Sequence, residues 1–194
     1  MVLPILFTET IEMNYSRLIV LISIIAIIGC SEQKQSSSEH WYKGNLHTHS
    51  YWSDGDEFPE VIMDWYKSHD YQFVALTDHN ILAEGEKWKV ISQDSLYQNA
   101  YRSYLDQYGS SWVNNRIDSL NRTEVKLKTF EEYRVLFEEE EKFLIIQSEE
   151  ITDEFEGLPL HMNATNIKKK IDPQGGSSVV EVLQNNIDAV VKQR

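Results

Sequence analysis

The chain is short of positive charge: 18 lysines and arginines stand against 31 aspartates and glutamates, a formal net charge of −13. Such a surface repels a phosphate backbone, so nucleic acid is not an expected partner. A small anion remains compatible, because bound metal ions reverse the field locally. Cysteine is almost missing. Cys30 is the only one, so no intramolecular disulfide can form, and neither a zinc finger nor a thiol nucleophile has material here. Histidine stops at His161. The apolar run Leu18 to Ile28 is about a dozen residues, short of the roughly 20 that a membrane-spanning helix needs. What the chain does have is core-forming material, with 41% hydrophobic and 11% aromatic residues in 194, enough for one domain.

The N-terminal region reads as a leader. Arg17 precedes the apolar run, which has the length of a signal h-region and ends at Gly29-Cys30. Ile27-Ile28-Gly29-Cys30 resembles the lipobox of bacterial lipoproteins, in which the cysteine is lipidated and becomes the first mature residue. The resemblance implies a cell-envelope location, with the chain lipid-anchored on the periplasmic or cell-surface side of a bacterial membrane. The polar segment 31–39 then reads as a tether, and residues 40–194 as the domain.

Within that domain, His40 to Ser50 reads as a first strand. Pro59 opens a helix behind Asp56 and Glu57, carried by Val61, Ile62, Trp65 and Tyr66 at helical spacing and ending near His69. Tyr71 to Leu76 is a second strand, so the unit is βαβ with parallel strands. An insert of about 81–141 reads as helical: one helix from about Ser92 to Gln107, a second from about Trp112 to Leu120, and a third opened by the capping box Thr129-Phe-Glu-Glu132. Lys142 to Gln147 is a third strand, and a fourth short strand begins near His161. The last helix opens at Ser178 with a second capping box. It carries Val179, Val180, Leu183, Ile187, Val190 and Val191 on one face.

The candidate chemistry lies in or just after those strands. His47 and His49 are two apart, so in an extended segment their imidazoles share a face. Asp54 follows in a Ser-Asp-Gly turn. Asp78 and His79 come just past the second strand, Glu149 and Glu150 past the third, and His161 in the fourth. In βα architectures functional groups collect at the C-terminal ends of strands, so these residues are expected on one rim, with one of the two glutamates turned inward. All are N or O donors, and imidazole with carboxylate suits Zn, Mn or Fe.

His47-Thr-His49-Ser, Ser53-Asp54-Gly55, Leu76-Thr-Asp78-His79, Glu150-Ile-Thr and His161 resemble, in order, the motifs of the PHP (polymerase and histidinol phosphatase) superfamily, over about Gly44 to Ala164. The resemblance implies an α/β fold, a partial distorted (β/α)7 barrel interrupted by the insert. It also implies two or three divalent metal ions and a phosphoesterase that hydrolyses a small phosphorylated substrate through a metal-bound hydroxide. In that scheme His47, His49 and Glu150 hold one ion, and Glu150 bridges to a second held by His161. Asp54 and His79 serve a third, and Asp78 orients a ligand from behind. Glu149 is left out of the ligand set.

Two features depart from the family: the long insert, and the lack of any histidine after His161, where members carry further ligands. The expectation is therefore a fragment lacking the C-terminal strands: about 155 residues, 40–194, where a βα barrel ordinarily has 200 or more. No arginine or lysine is assignable to the phosphate. The same donors would also serve a metal-dependent amide or ester hydrolase, or a metal-binding surface lipoprotein without catalysis.

Overall fold

The computed structural model describes residues 39–193. The leader, Cys30 and nearly all of the tether lie outside the described residues. From Trp41 onward the chain is a mixed α/β unit with a curled four-stranded sheet, and four helices are present among the described residues. The elements are β1 (Gly44–Asn45), α1 (Pro59–Ser68), β2 (Phe73–Leu76), β3 (Trp88–Val90), α2 (Ser95–Tyr108), β4 (Asn115–Ile117), β5 (Thr123–Lys126), α3 (Phe130–Phe137), β6 (Leu144–Phe155), β7 (Leu158–Thr165) and α4 (Val179–Val191). The main sheet runs β1-β2-β6-β7. Its first three strands are parallel, and β7 returns antiparallel to β6.

The βαβ unit forms as the sequence predicts, with Pro59 at the start of α1. The helix ends at His69, whose Nδ1 lies 2.7 Å from the Trp65 carbonyl. The first strand is much shorter than expected. Asn45 Oδ1 accepts the His47 N–H at 3.1 Å, a local turn that competes with the ladder. Contact with β2 resumes beyond it, where the Thr77 N–H donates to the Thr48 carbonyl at 2.8 Å.

Two further expectations are corrected. The predicted helix over 112–120 is not formed. Residues 115–117 are β4, which pairs with β5 across a turn and joins β3 in a three-stranded antiparallel sheet. Asp118 decides this: its Oδ1 accepts the N–H groups of Leu120 at 2.9 Å and Arg122 at 2.8 Å, and Asn121 takes a positive φ of 58°. The insert is therefore mixed, not helical. The third strand also does not stop near Gln147. It runs 12 residues to Phe155 and turns into β7 through Glu156 and Gly157, both at positive φ, as a tight hairpin requires.

The last helix turns a different face inward. Val182 and Asn186 are buried, while Val179, Val180, Ile187 and Val191 are exposed. A polar network sets this rotation: Asn186 Nδ2 donates to Asp153 Oδ2 at 2.7 Å, and the Gly175 N–H donates to the same oxygen at 2.9 Å. The second capping box is incomplete. Ser178 Oγ accepts the Glu181 N–H, but the Glu181 carboxylate takes the N–H of Ser177 instead of Ser178. The box at Thr129 and Glu132 is fully formed.

The main core joins the βαβ unit to the insert. Tyr51, Trp52, Phe58 and Met63 pack with Tyr104 of α2 and Tyr133 of α3. Tyr97, Tyr101 and Tyr108 of α2 pack against the same core, half-buried. Glu60 is buried at its centre. Its Oε1 accepts from Tyr104 Oη at 2.5 Å and Trp112 Nε1 at 2.7 Å, while Oε2 has no partner. Burial pushes this carboxyl above its ordinary 4.5, against the pull of those two hydrogen bonds.

A carboxyl raised in the folded state favours folding below its unfolded pKa, and that contribution is lost as pH rises through the folded value. We expect Glu60→Ala to destabilise the protein by about 2–4 kcal/mol, since it orphans the buried Tyr104 hydroxyl and the half-buried Trp112 N–H. The difference from wild type should be larger at about pH 5 than at about pH 8 in urea unfolding. A gap that grew with pH would contradict the assignment.

Candidate metal centre

The six candidate ligands converge because four segments end or cross at one place. Thr48 is held to Thr77, so His47 and His49 project together to one side of the segment that extends β1. Their Nε2 atoms lie 3.2 Å apart. Chain reversal at Ser50–Gly55 then brings Asp54 back, its Oδ1 2.9 Å from His49 Nδ1. A Cβ on Gly55 would lie 2.5 Å from the backbone of His49, so the reversal needs glycine there.

Asp78 anchors the same turn. It is buried, and it accepts from Ser50 N–H at 2.8 Å, Ser50 Oγ at 2.7 Å, Ser53 N–H at 3.0 Å and Ser53 Oγ at 2.6 Å. Burial pushes its carboxyl up against the pull of these bonds. Asp54 is also pushed up by desolvation, but the His49 hydrogen bond and the charges of His79 and His49 outweigh it and leave its pKa lowered.

Beyond β2, the chain stays beside β6. The Glu150 N–H donates to the Asp78 carbonyl at 3.1 Å and the Asn80 N–H to the Glu150 carbonyl at 3.0 Å. The Asn80 side chain imitates a strand, donating to the Thr152 carbonyl at 2.8 Å and accepting the Thr152 N–H at 2.9 Å. This puts His79 directly opposite Glu150.

The alternation of β6 settles which glutamate faces the site. Glu149, Ile151 and Asp153 turn toward the α4 side, where Glu149 Oε1 accepts the Ile171 N–H at 2.6 Å and Ile151 joins a second core cluster. Burial pushes the Glu149 carboxyl up to about 7. Glu150 and Thr152 turn the other way. His161 stands opposite Thr152 in the antiparallel register, and directly opposed residues share a face. Glu150 and His161 thus reach the site from within a hairpin, not from a strand end.

Glu150 is the buried centre. Its Oε2 lies 2.8 Å from His49 Nε2, 3.3 Å from His47 Nε2 and 3.5 Å from His79 Nδ1, and its Oε1 lies 3.2 Å from His161 Nδ1. His47, Asp54 and His161 are exposed, so the cluster opens to solvent on one side. Three groups have donor atoms within 4.8 Å of one another and could hold a metal ion: His47/His49/Glu150, His49/Asp54/His79 and His79/Glu150/His161. Donors about 2.0–2.2 Å from a shared ion stand roughly 3.3 Å apart in a tetrahedral arrangement, close to the spacing of the first group.

Apart from Asp78, sequence reasoning missed the residues that hold the ligands. Thr152 Oγ1 lies between His79 Nδ1 at 2.5 Å and His161 Nδ1 at 3.1 Å. Ser50, Ser53 and Asn80 act similarly on the backbone. Small polar residues beside the ligand motifs were the available signal.

Comparisons with known protein families, with curated proteins and with solved structures find no match to this chain.

Proposed function

We propose that the chain is a metal-dependent phosphoesterase of PHP type, acting on a small phosphorylated substrate. The observation that carries this reading is the position of Glu150. Its two oxygens face different imidazoles, His47 and His49 on one side and His161 on the other, which suits a carboxylate bridging two ions. The parallel order β1-β2-β6, with donors past the ends of β1 and β2, is compatible with part of a distorted (β/α)7 barrel.

Tautomers decide how many ions fit. A neutral imidazole offers one lone pair. His49 presents Nδ1 to Asp54, and a ligating histidine commonly gives its other N–H to a carboxylate. In that state Nε2 is left for the ion shared with His47 and Glu150. If His79 donates from Nδ1 to Thr152, its Nε2 faces Asp54 at 3.5 Å and completes a third position. If it does not, two ions suffice.

When bound, Mn, Zn or Fe would supply charge neutralisation at the phosphoryl group and a water acidified toward neutral pH. The protein's part is to fix the donors. Buried Asp78 holds the turn carrying His49 and Asp54, Thr152 holds His79, and Glu150 balances the positive charge from the floor.

The test uses the protein expressed from its whole coding sequence in a bacterial host, stripped with chelator and reloaded. Two or three ions per chain are expected, with p-nitrophenyl phosphate turnover lost on chelation and restored by metal. Failure to bind metal, or turnover indifferent to chelation, overturns the proposal; turnover of p-nitrophenyl acetate alone makes the protein an ester hydrolase. The proposal includes a lipid anchor in the cell envelope. Mass spectrometry of the same membrane-derived preparation should find Cys30 acylated at the N-terminus, and an intact leader would refute this part.

A further inference from the structure

The site as described is made of imidazoles and carboxylates. Phosphate oxygens are commonly met by a protein cation as well as by metal, and the insert brings two lysines to this place. Lys87 and Lys89 are two apart at the start of β3, so in an extended strand they share a face. That face lies over the turn running from His49 to Asp54. Lys87 Nζ donates to the Trp52 carbonyl, and Lys89 Nζ sits 4.5 Å from the centre of the Tyr51 ring and 5.3 Å from that of Tyr97.

The two lysines differ in what occupies their charge. Most other lysines with a side-chain contact here have an oxygen partner: Lys67 and Lys142 pair with Glu139, Lys128 with Glu132, and Lys170 with Asp172. Among the described residues, no carboxylate forms a salt bridge with Lys89, and its ammonium rests on two aromatic faces. An ammonium has three N–H donors, and ring faces leave them available to an oxygen anion.

The position is unfavourable for a lysine by itself. Desolvation lowers the pKa of both side chains, and Lys87 lowers that of Lys89 further. Asp56, Asp54 and Asp78 oppose this for Lys89, and Asp78 for Lys87. The carboxylates that act on Lys89 include the candidate ligand Asp54 and the anchor Asp78. A half-buried, unpaired cation beside a candidate site is a pattern that function commonly explains.

We propose that Lys89 is the cation that binds the phosphoryl oxygens of the substrate, so that β3 of the insert forms one wall of the substrate pocket. Lys87, tied to Trp52, holds the adjoining turn. The proposal rests on the phosphoesterase reading of the metal centre and extends it. It gives the insert a role in recognition, and it assigns the substrate as an anion met by a lysine point charge instead of a bidentate arginine.

The test is calorimetric titration of inorganic phosphate into the metal-loaded full-length protein, for wild type, Lys89→Met, Lys89→Arg and the exposed control Lys169→Met. Lys89→Met should weaken phosphate binding about tenfold, as loss of one charge-assisted contact does. Lys89→Arg should stay within about threefold, since the charge is kept. Metal content should be unchanged in all variants, and KM for p-nitrophenyl phosphate should rise in Lys89→Met with kcat nearly constant. Lys89→Gln gives the same comparison with a polar side chain, should the methionine variant fold poorly.

Equal phosphate affinity in wild type and Lys89→Met, with metal bound, overturns the role of Lys89 and leaves the metal reading standing. An equal loss in Lys169→Met also overturns it, because the effect would then be the general field of the chain. Wild-type protein that takes up no metal overturns the reading of the site, and this proposal with it.

Discussion

Glu150→Gln should strip the protein of most of its metal, lowering affinity by on the order of a hundredfold or more. Glutamine matches glutamate in shape, so the substitution tests charge and donor number, not volume. Glu150 belongs to two of the three donor groups and is the residue whose two oxygens face separate imidazoles. The amide removes the negative charge and one of the two oxygen donors, so an ion on each side can no longer share the carboxylate. The third position, at Asp54 and His79, does not include Glu150 and should be affected least. Elemental analysis after dialysis against a limiting metal buffer measures this, with circular dichroism to show that the fold persists. Wild-type stoichiometry in the variant would remove Glu150 from the ligand set and, with it, the case for a bridged centre.

Asp78→Ala should be the most damaging single change to the fold near the site, at about 3–5 kcal/mol. The carboxylate accepts four hydrogen bonds from Ser50 and Ser53, and the alanine leaves four donors without their acceptor, at least two of them in a fully buried residue. Those donors belong to the turn between His49 and Asp54, so the loss should reach metal binding as well as stability, by about ten- to a hundredfold. Asp78→Asn keeps the shape and one carbonyl oxygen, and the serine hydroxyls can reorient, so a smaller loss is expected. Denaturant unfolding of the metal-free protein separates the structural part from the effect on metal. A metal-free Asp78→Ala protein as stable as wild type would show that the turn is held by something else.

Several elements were legible because their causes are local. Pro59 behind two acids starts α1, and the Thr129–Glu132 box starts α3; in both, the determining atoms lie within one turn of the chain. Asp94 at the N-cap and Gly109 at the C-cap bound α2 close to its expected limits. Five of the candidate ligands were also readable, because imidazoles and carboxylates clustered after predicted strands; Glu150 was separated from Glu149 only by the family resemblance, and the structure brings all six together.

Other elements were misread where a side chain competes with the backbone or with a second element. Asn45 ends β1 early, and Asp118 turns a helical-looking segment into a hairpin; both act through side-chain hydrogen bonds that hydrophobic periodicity does not register. The last helix shows the same limit at longer range. Its apolar stripe predicts one buried face, but Asp153 on β6 needs a buried donor, and Asn186 supplies it from another face.

By itself, then, the sequence determined the βαβ unit, the capped helices and the donor types available for metal, since each follows from interactions among near neighbours. The tertiary structure alone decided four things. It turned Glu150 toward the histidines and Glu149 away, through the register of β6 against its neighbours. It returned β7 antiparallel, so that His161 meets Glu150 across a hairpin. It rotated α4 to satisfy Asp153. It carried Lys87 and Lys89 over the turn between His49 and Asp54 from more than thirty positions away along the chain. Each of these depends on which distant groups must satisfy one another once water is excluded, and no local pattern encodes that.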